Sequence, residues 1–195
     1  VGSEMCIRDR HKIRRKRRLA PDRAGRRFLS RNGGTMNLFE IVKYGVEIAD
    51  SKLNVLVKES AFDYGSEFLN KPSVIVDMLN AVFHVERQAE EHVWMLAMNN
   101  SCEVLGVFEV CHGSVSESNV HMREIFVRLC LCGATGFILA HNHPGNSLVA
   151  SEPDIRLTER VKEAATLMDI KLFDHIIVCK NGYVSFAEEG LIRKE

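Results

Sequence analysis

The segment LAHNHPGNSLVASEPDIRLT, residues 139–158, sets two histidines one residue apart and an aspartate eleven residues beyond the second. In extended backbone, side chains two residues apart point the same way, so the imidazoles of His141 and His143 can converge on one point. Pro144 restricts the chain just after them, and Gly145 permits a sharp change of direction. Ser151-Glu152-Pro153-Asp154 reads as a helix start, with Pro153 at an early position where an amide is not needed. Two imidazoles and one carboxylate make a sensible catalytic zinc shell, because a fourth position remains for water.

Such a water needs a base. Zinc lowers its pKa towards neutrality, and a nearby carboxylate can take its proton as it attacks a carbonyl. The resulting oxyanion needs a donor besides the metal, and a serine hydroxyl at the lip would serve. Ser151 is the local serine candidate. For the base, Glu90, Glu91, Glu109, Glu117 and Glu124 compete, and local reasoning selects none of them. Each residue also has a plain structural reading. A strand-end histidine commonly bonds backbone, a glutamate before a strand is a solvated charge, and Ser-x-x-Asp before an apolar-periodic run is a capping-box-like start. The combination of His141, His143 and Asp154 is what points to metal.

The elements that must position these residues are readable in outline. TGFILAH (135–141) reads as a buried strand ending at the first histidine, and SEPDIRLTERVKEAATLMD (151–169) as the most regular helix of the chain. Strands are expected over 52–60, 92–99, 103–113, 170–179 and 182–190, with NNSC as the turn between the second and third. Helices are expected over 72–87, opening on Pro72, and over 120–134, with Gly133 near its end. Asp174-His175 resembles a carboxylate–histidine pair, but its apolar neighbours favour a structural role, and Trp94 is expected in the core. Helices between paired strands indicate an α/β fold.

The formal charge of zero hides a division: residues 1–35 carry twelve Lys/Arg against three Asp/Glu, and residues 36–195 fourteen against twenty-three. The first segment has no sustained apolar period and reads as a disordered leader or as sequence foreign to the natural protein, with Met36 opening the patterned domain (36–195). Its basic run is the one feature suited to nucleic-acid phosphates. It lacks the apolar stretch of a secretory signal, and no later run reaches transmembrane length, so no membrane partner is expected. The six cysteines form neither a CxxC pair nor a disulfide framework; reduced, mostly buried thiols and a cytoplasmic location are expected. Nothing in the sequence indicates an oligomeric state.

HNHP followed by SEPD is similar to the JAMM (JAB/MPN) metalloprotease pattern of His-x-His-Pro, Ser-x-x-Asp. More narrowly, the chain resembles the RadC-like branch: HGSVSESNVHMREIF, ILAHNHP, DIRLTERV, LFDHIIV and YVSFAEEG follow its segments in order, over roughly residues 52–192. The resemblance implies a mixed β-sheet flanked by helices, the JAB/MPN (cytidine-deaminase-like) fold. It implies zinc on His141, His143 and Asp154, an oxyanion donor at Ser151, and a general base at Glu91, which opens the strand segment EEHVWMLAMN; Glu90 is the neighbouring alternative.

The implied activity is hydrolysis of an amide or isopeptide bond in a peptide or protein substrate. RadC-like proteins also carry a DNA-repair label, so an accessory of DNA metabolism is the alternative, and a metal-stabilised interaction module without turnover is a third. The acidic body from residue 36 onward does not suggest a phosphate-binding face. The chain departs from the family pattern at Gly145-Asn146, where Ser-Gly is usual, and at Ala150 and Met122, where Pro is usual. No segment is expected to hold the helix-hairpin-helix unit of longer RadC proteins.

Overall fold

The computed structural model describes residues 26–29, 35–66, 69, 71–113 and 120–192. In chain order these form β1 (Arg26–Leu29), β2 (Thr35–Ile48), β3 (Asn54–Ser66), α1 (Pro72–Phe83), a 3-10 turn (Val85–Arg87), β4 (Glu91–Met98), β5 (Val104–Gly113), α2 (Met122–Cys132), β6 (Gly136–Asn142), α3 (Glu152–Leu167), β7 (Lys171–Cys179) and β8 (Gly182–Ser185). The strands make one mixed sheet in the order β1-β2-β5-β4-β6-β7-β8, with β3 paired to β2. β6 and β7 run parallel, joined through α3 as a parallel pair requires, whereas β4 pairs antiparallel with both β5 and β6. This is the α/β class expected, with the mixed sheet flanked by helices.

Period-two alternation divides the apolar residues between two faces. Val93, Met95, Phe137 and Leu139 pack against Ile125 and Leu129 of α2 and Leu157, Val161 and Ala165 of α3. Trp94, Leu96, Ile138 and Ala140 face the other way, onto Ile75, Met78 and Leu79 of α1. Every residue of β6 is therefore buried. Fully buried strands read as continuous apolar runs, which is how GFILA reads, and the two polar residues that end the strand are conspicuous against it.

Several boundaries differ from the sequence expectation, each for a local reason. The strand expected over 52–60 belongs to a long hairpin: β2 and β3 pair from Ile48↔Asn54 to Asn37↔Ser66, with an irregularity between Lys43 and Tyr44 that interrupts the alternation. The helix expected to reach 87 stops at Phe83, because His84 takes a left-handed conformation (φ 53°) and the chain continues as a 3-10 turn. Gly133 ends α2 as expected, at φ 67°. The last strand stops at Ser185 rather than 190, since Phe186 turns inward and is buried.

β1, within the segment read as a leader, pairs with the start of β2 from Arg26↔Leu38 to Leu29↔Thr35; a four-residue strand held by backbone bonds leaves no periodic signal to read. Residues 1–25 and Glu117 lie outside the described residues. The expectation of mostly buried thiols is corrected: of the described cysteines only Cys179 is buried, Cys102 and Cys130 are exposed, and Cys111 and Cys132 lie between, all as free thiols. A turn position and an outer helix face place the two exposed ones. Trp94 is in the core, as expected. No helix among the described residues is long and apolar enough to cross a membrane.

Candidate metal centre

His141 is the sixth residue of β6 and lies on the face covered by α2 and α3. His143 lies just past the strand, but its backbone N–H donates to the Val178 carbonyl (3.0 Å) and prolongs the ladder with β7. The two imidazoles therefore share a face, as the i, i+2 spacing requires. A turn follows, closed by the Asn146 N–H on the His143 carbonyl (2.8 Å). The chain then reaches Ser151, the N-cap of α3, where a capping box forms: the Asp154 N–H donates to Ser151 Oγ (3.3 Å), and the Ser151 N–H donates to Asp154 Oδ2 (2.8 Å). The Ser151 hydroxyl also donates to that oxygen (2.7 Å). The capping reading of Ser151 and Asp154 is thus real, and it leaves Asp154 Oδ1 turned towards His141.

There, His141 Nε2 and His143 Nε2 are 3.1 Å apart, His141 Nε2 is 3.3 Å from Asp154 Oδ1, and His143 Nε2 is 3.4 Å from Asp154 Oδ2. Among the described residues this is the one cluster of three able to hold a metal ion, its ligand atoms all within 4.8 Å of one another. Four-coordinate zinc with bonds of about 2.0–2.1 Å has ligand–ligand edges of roughly 3.3–3.4 Å. The separations of 3.1–3.4 Å lie close to those edges, with the two histidines nearest different oxygens of Asp154, and the donor types are those zinc takes, so the residues present fit the ion.

The other ring nitrogens are anchored, as ligating imidazoles require. His143 Nδ1 donates to the Ser147 carbonyl (2.9 Å), and His141 Nδ1 meets His175 Nε2 at 2.8 Å. Burial opposes the charge of Asp154, but the neighbouring His141, His143 and Ser151 side chains outweigh it and hold the carboxyl far below its usual range. The bond to Asp154 raises His143, with smaller contributions from the Ser147 carbonyl and from Glu91 against the opposing effect of burial. Burial drives the His175 imidazole well below its usual value.

Four of the five candidate glutamates lie among the described residues, and they separate by position. β4 pairs Val93 with His141, so continuing the register by two residues sets Glu91, half-buried at the strand's start, opposite His143 on the ligand face. Glu90 is exposed and precedes the strand. Glu109 lies on the opposite face, bound to Lys43 (2.9 Å) and His92 (2.8 Å). Glu124 pairs with Arg128 one turn along α2 (2.8 Å).

Two contributors escaped the sequence reading. Asn142, between the two histidines, faces away from them and binds the backbone at the head of β4. Thr158 stands behind the ligands with His175, which the sequence reading took as structural. Asp174 does not orient the His175 ring: its carboxylate accepts the backbone N–H groups of His175 (2.8 Å) and Ala187 (2.9 Å) and the Ser185 hydroxyl (2.6 Å). The DH dipeptide in an otherwise apolar strand was the available signal.

A mixed α/β sheet presents two histidines at a strand end and an aspartate in the first turn of the following helix, a cluster that could hold a metal ion and is consistent with a JAB domain. Residues 69–191 match the family model described as the RadC-like JAB domain, and the chain belongs to that family. A UPF0758 protein of Porphyromonas gingivalis is 41% identical over 104 residues, covering 53% of this chain and 46% of its own length. A UPF0758 protein of Desulforudis audaxviator is 42% identical over 101 residues (52% and 44%), and one of Clostridium botulinum 37% over 121 residues (62% and 52%). The chain spans about half the length of these curated relatives.

Proposed function

We propose that the chain is a zinc-dependent hydrolase of amide or isopeptide bonds in a peptide or protein substrate. The observation that carries the reading is the convergence of His141 Nε2, His143 Nε2 and the Asp154 carboxylate, with ligand atoms all within 4.8 Å of one another, on a donor set suited to zinc. His141, His143 and Asp154 would hold the ion, which when bound supplies the Lewis acid that makes a water nucleophilic at neutral pH. Glu91, on the ligand face opposite His143, accepts the proton of the attacking water and returns it to the leaving amine. The Ser151 hydroxyl, exposed at the N-terminus of α3, turns from Asp154 to donate to the oxyanion of the tetrahedral intermediate. Membership of the RadC-like JAB family supports the reading.

The test exposes zinc-loaded full chain to a complex peptide mixture and reads new amino termini by mass spectrometry. Wild type is expected to generate them and Glu91→Gln, folded and zinc-bound, to generate none. Identical products from both proteins would remove Glu91 from the chemistry. Zinc binding without cleavage in either, extended to isopeptide-linked substrates, would leave a metal-stabilised interaction module.

A further inference from the structure

Behind the ligand cluster runs a continuous line of hydrogen bonds. His141 Nδ1 lies 2.8 Å from His175 Nε2, His175 Nδ1 lies 2.6 Å from Thr158 Oγ1, and the Thr158 hydroxyl lies 2.6 Å from the backbone carbonyl of Asp154. All four residues are buried. The line starts on one ligand, crosses from β6 to β7 to α3, and returns to the residue that supplies another.

The directions of these bonds follow from donor chemistry. A carbonyl oxygen only accepts, so the single hydroxyl proton of Thr158 is committed to Asp154. His175 Nδ1 must then be the donor to Thr158 Oγ1. A His141 that ligates through Nε2 keeps its own proton on Nδ1, and a neutral His175 protonated at Nδ1 has a bare Nε2. That bare nitrogen accepts the Nδ1–H of His141, which leaves the His141 Nε2 lone pair aimed at His143 and Asp154.

We propose that His175 and Thr158 form a buried positioning strut that fixes His141 in its Nδ1–H tautomer and ties it to the helical turn carrying Asp154. Neither residue touches the ligand atoms; both act through others, and the inference rests on the metal-centre reading above. A threonine inside a helix often bonds the carbonyl four residues back without further purpose. Here its oxygen also receives a buried imidazole from another element, which that habit does not explain. The strut makes the two histidines unequal: His141 is braced through the core, whereas His143 leans on the carbonyl of Ser147 in an exposed loop.

The test uses the full chain, metal-free, with Zn2+ as the probe. Long-range proton–nitrogen correlation spectra of the histidine rings report the tautomer of His141, with His141→Gln supplying the assignment. Wild type is expected to show Nδ1–H before any zinc is added. His175→Phe keeps a ring but removes the acceptor, so the preference should vanish and zinc affinity, read by competition with a chromophoric chelator, should fall about 10- to 100-fold. His175→Gln, whose side-chain oxygen can stand where Nε2 stood, should restore most of that affinity. Thr158→Val, of the same shape, should weaken zinc in the same direction.

A wild-type His141 carrying its proton on Nε2 in the metal-free chain would overturn the strut, whether or not the variants fold. Folded His175→Phe and His175→Gln proteins that bind zinc alike would do the same. A wild-type chain with the expected tautomer but no zinc uptake would instead overturn the metal reading, and the tautomers alone would then decide the strut.

Discussion

The Asn142 side-chain carbonyl accepts the backbone N–H of His92 at 2.7 Å, although the two residues are fifty positions apart in sequence. The same side chain donates to the carbonyl of Glu90 at 2.8 Å and, at 3.4 Å, to that of Gln88. The residue between the two histidines therefore clamps the backbone on either side of Glu91. Alternation explains the division of labour: His141 and His143 face the metal centre, and Asn142 faces the head of β4.

Replacing Asn142 by Ala would leave the His92 N–H and the Glu90 carbonyl without this partner in a largely buried place. A loss of about 1–3 kcal/mol in unfolding free energy is expected, measured by urea titration. Zinc affinity should change little, because none of the three ligands is bonded to Asn142. A large loss of zinc with unchanged stability would show that the clamp supports the ligands instead.

Glu109 gives a pH-dependent prediction. Burial raises its carboxyl, but bonds and charges from Lys43 and His92 outweigh burial and bring it below the ordinary value of 4.5. A carboxyl depressed in the folded state stabilises above its unfolded value and loses that contribution as pH falls through the folded one. Glu109→Gln should thus melt below wild type at neutral pH, and the gap should close as the pH drops below 4.5. Melting curves collected at several pH values decide it; a gap that widens in acid contradicts the assignment.

Gly133 closes α2 at φ 67°, and a Cβ there would meet nothing within 4 Å among the described residues. The cost of Gly133→Ala is therefore backbone strain alone, about 1–2 kcal/mol. Denaturant unfolding should show that loss with an unchanged slope. A neutral result would mean that the αL turn relaxes.

Ser151 carries a structural duty that can be separated from chemistry. Ser151→Ala removes the cap acceptor for the Asp154 N–H and one donor to Asp154 Oδ2. A destabilisation of about 0.5–2 kcal/mol is expected by thermal or denaturant unfolding. Ser151→Gly should cost a few tenths of a kcal/mol by the same scale. Equal destabilisation by Ala and Gly would argue that the cap contributes little here.

The parts of the molecule legible in sequence are those written locally. His141, His143 and Asp154 lie within fourteen residues on a strand, a turn and a helix start, each with its own pattern. Gly133 signals its helix end in the same way. What was not legible depends on distant pairing. Glu91 could be distinguished from its rivals only by family resemblance, because its place opposite His143 is set by the β4–β6 register. His175 is thirty-four residues from the histidine it braces, and Asn142 fifty from the amide it holds. Of the β2–β3 hairpin only a strand over 52–60 was legible, because its faces are mixed and its pairing is irregular at Lys43.

The central claim is a zinc centre on His141, His143 and Asp154, and metal content tests it most directly. Full chain purified without added metal would be analysed by elemental mass spectrometry beside the folded His141→Ala/His143→Ala double variant. The account predicts about one zinc per wild-type chain, in line with a single tetrahedral site, and loss of it in the variant. A folded wild-type chain that stays metal-free even after incubation with zinc would contradict it.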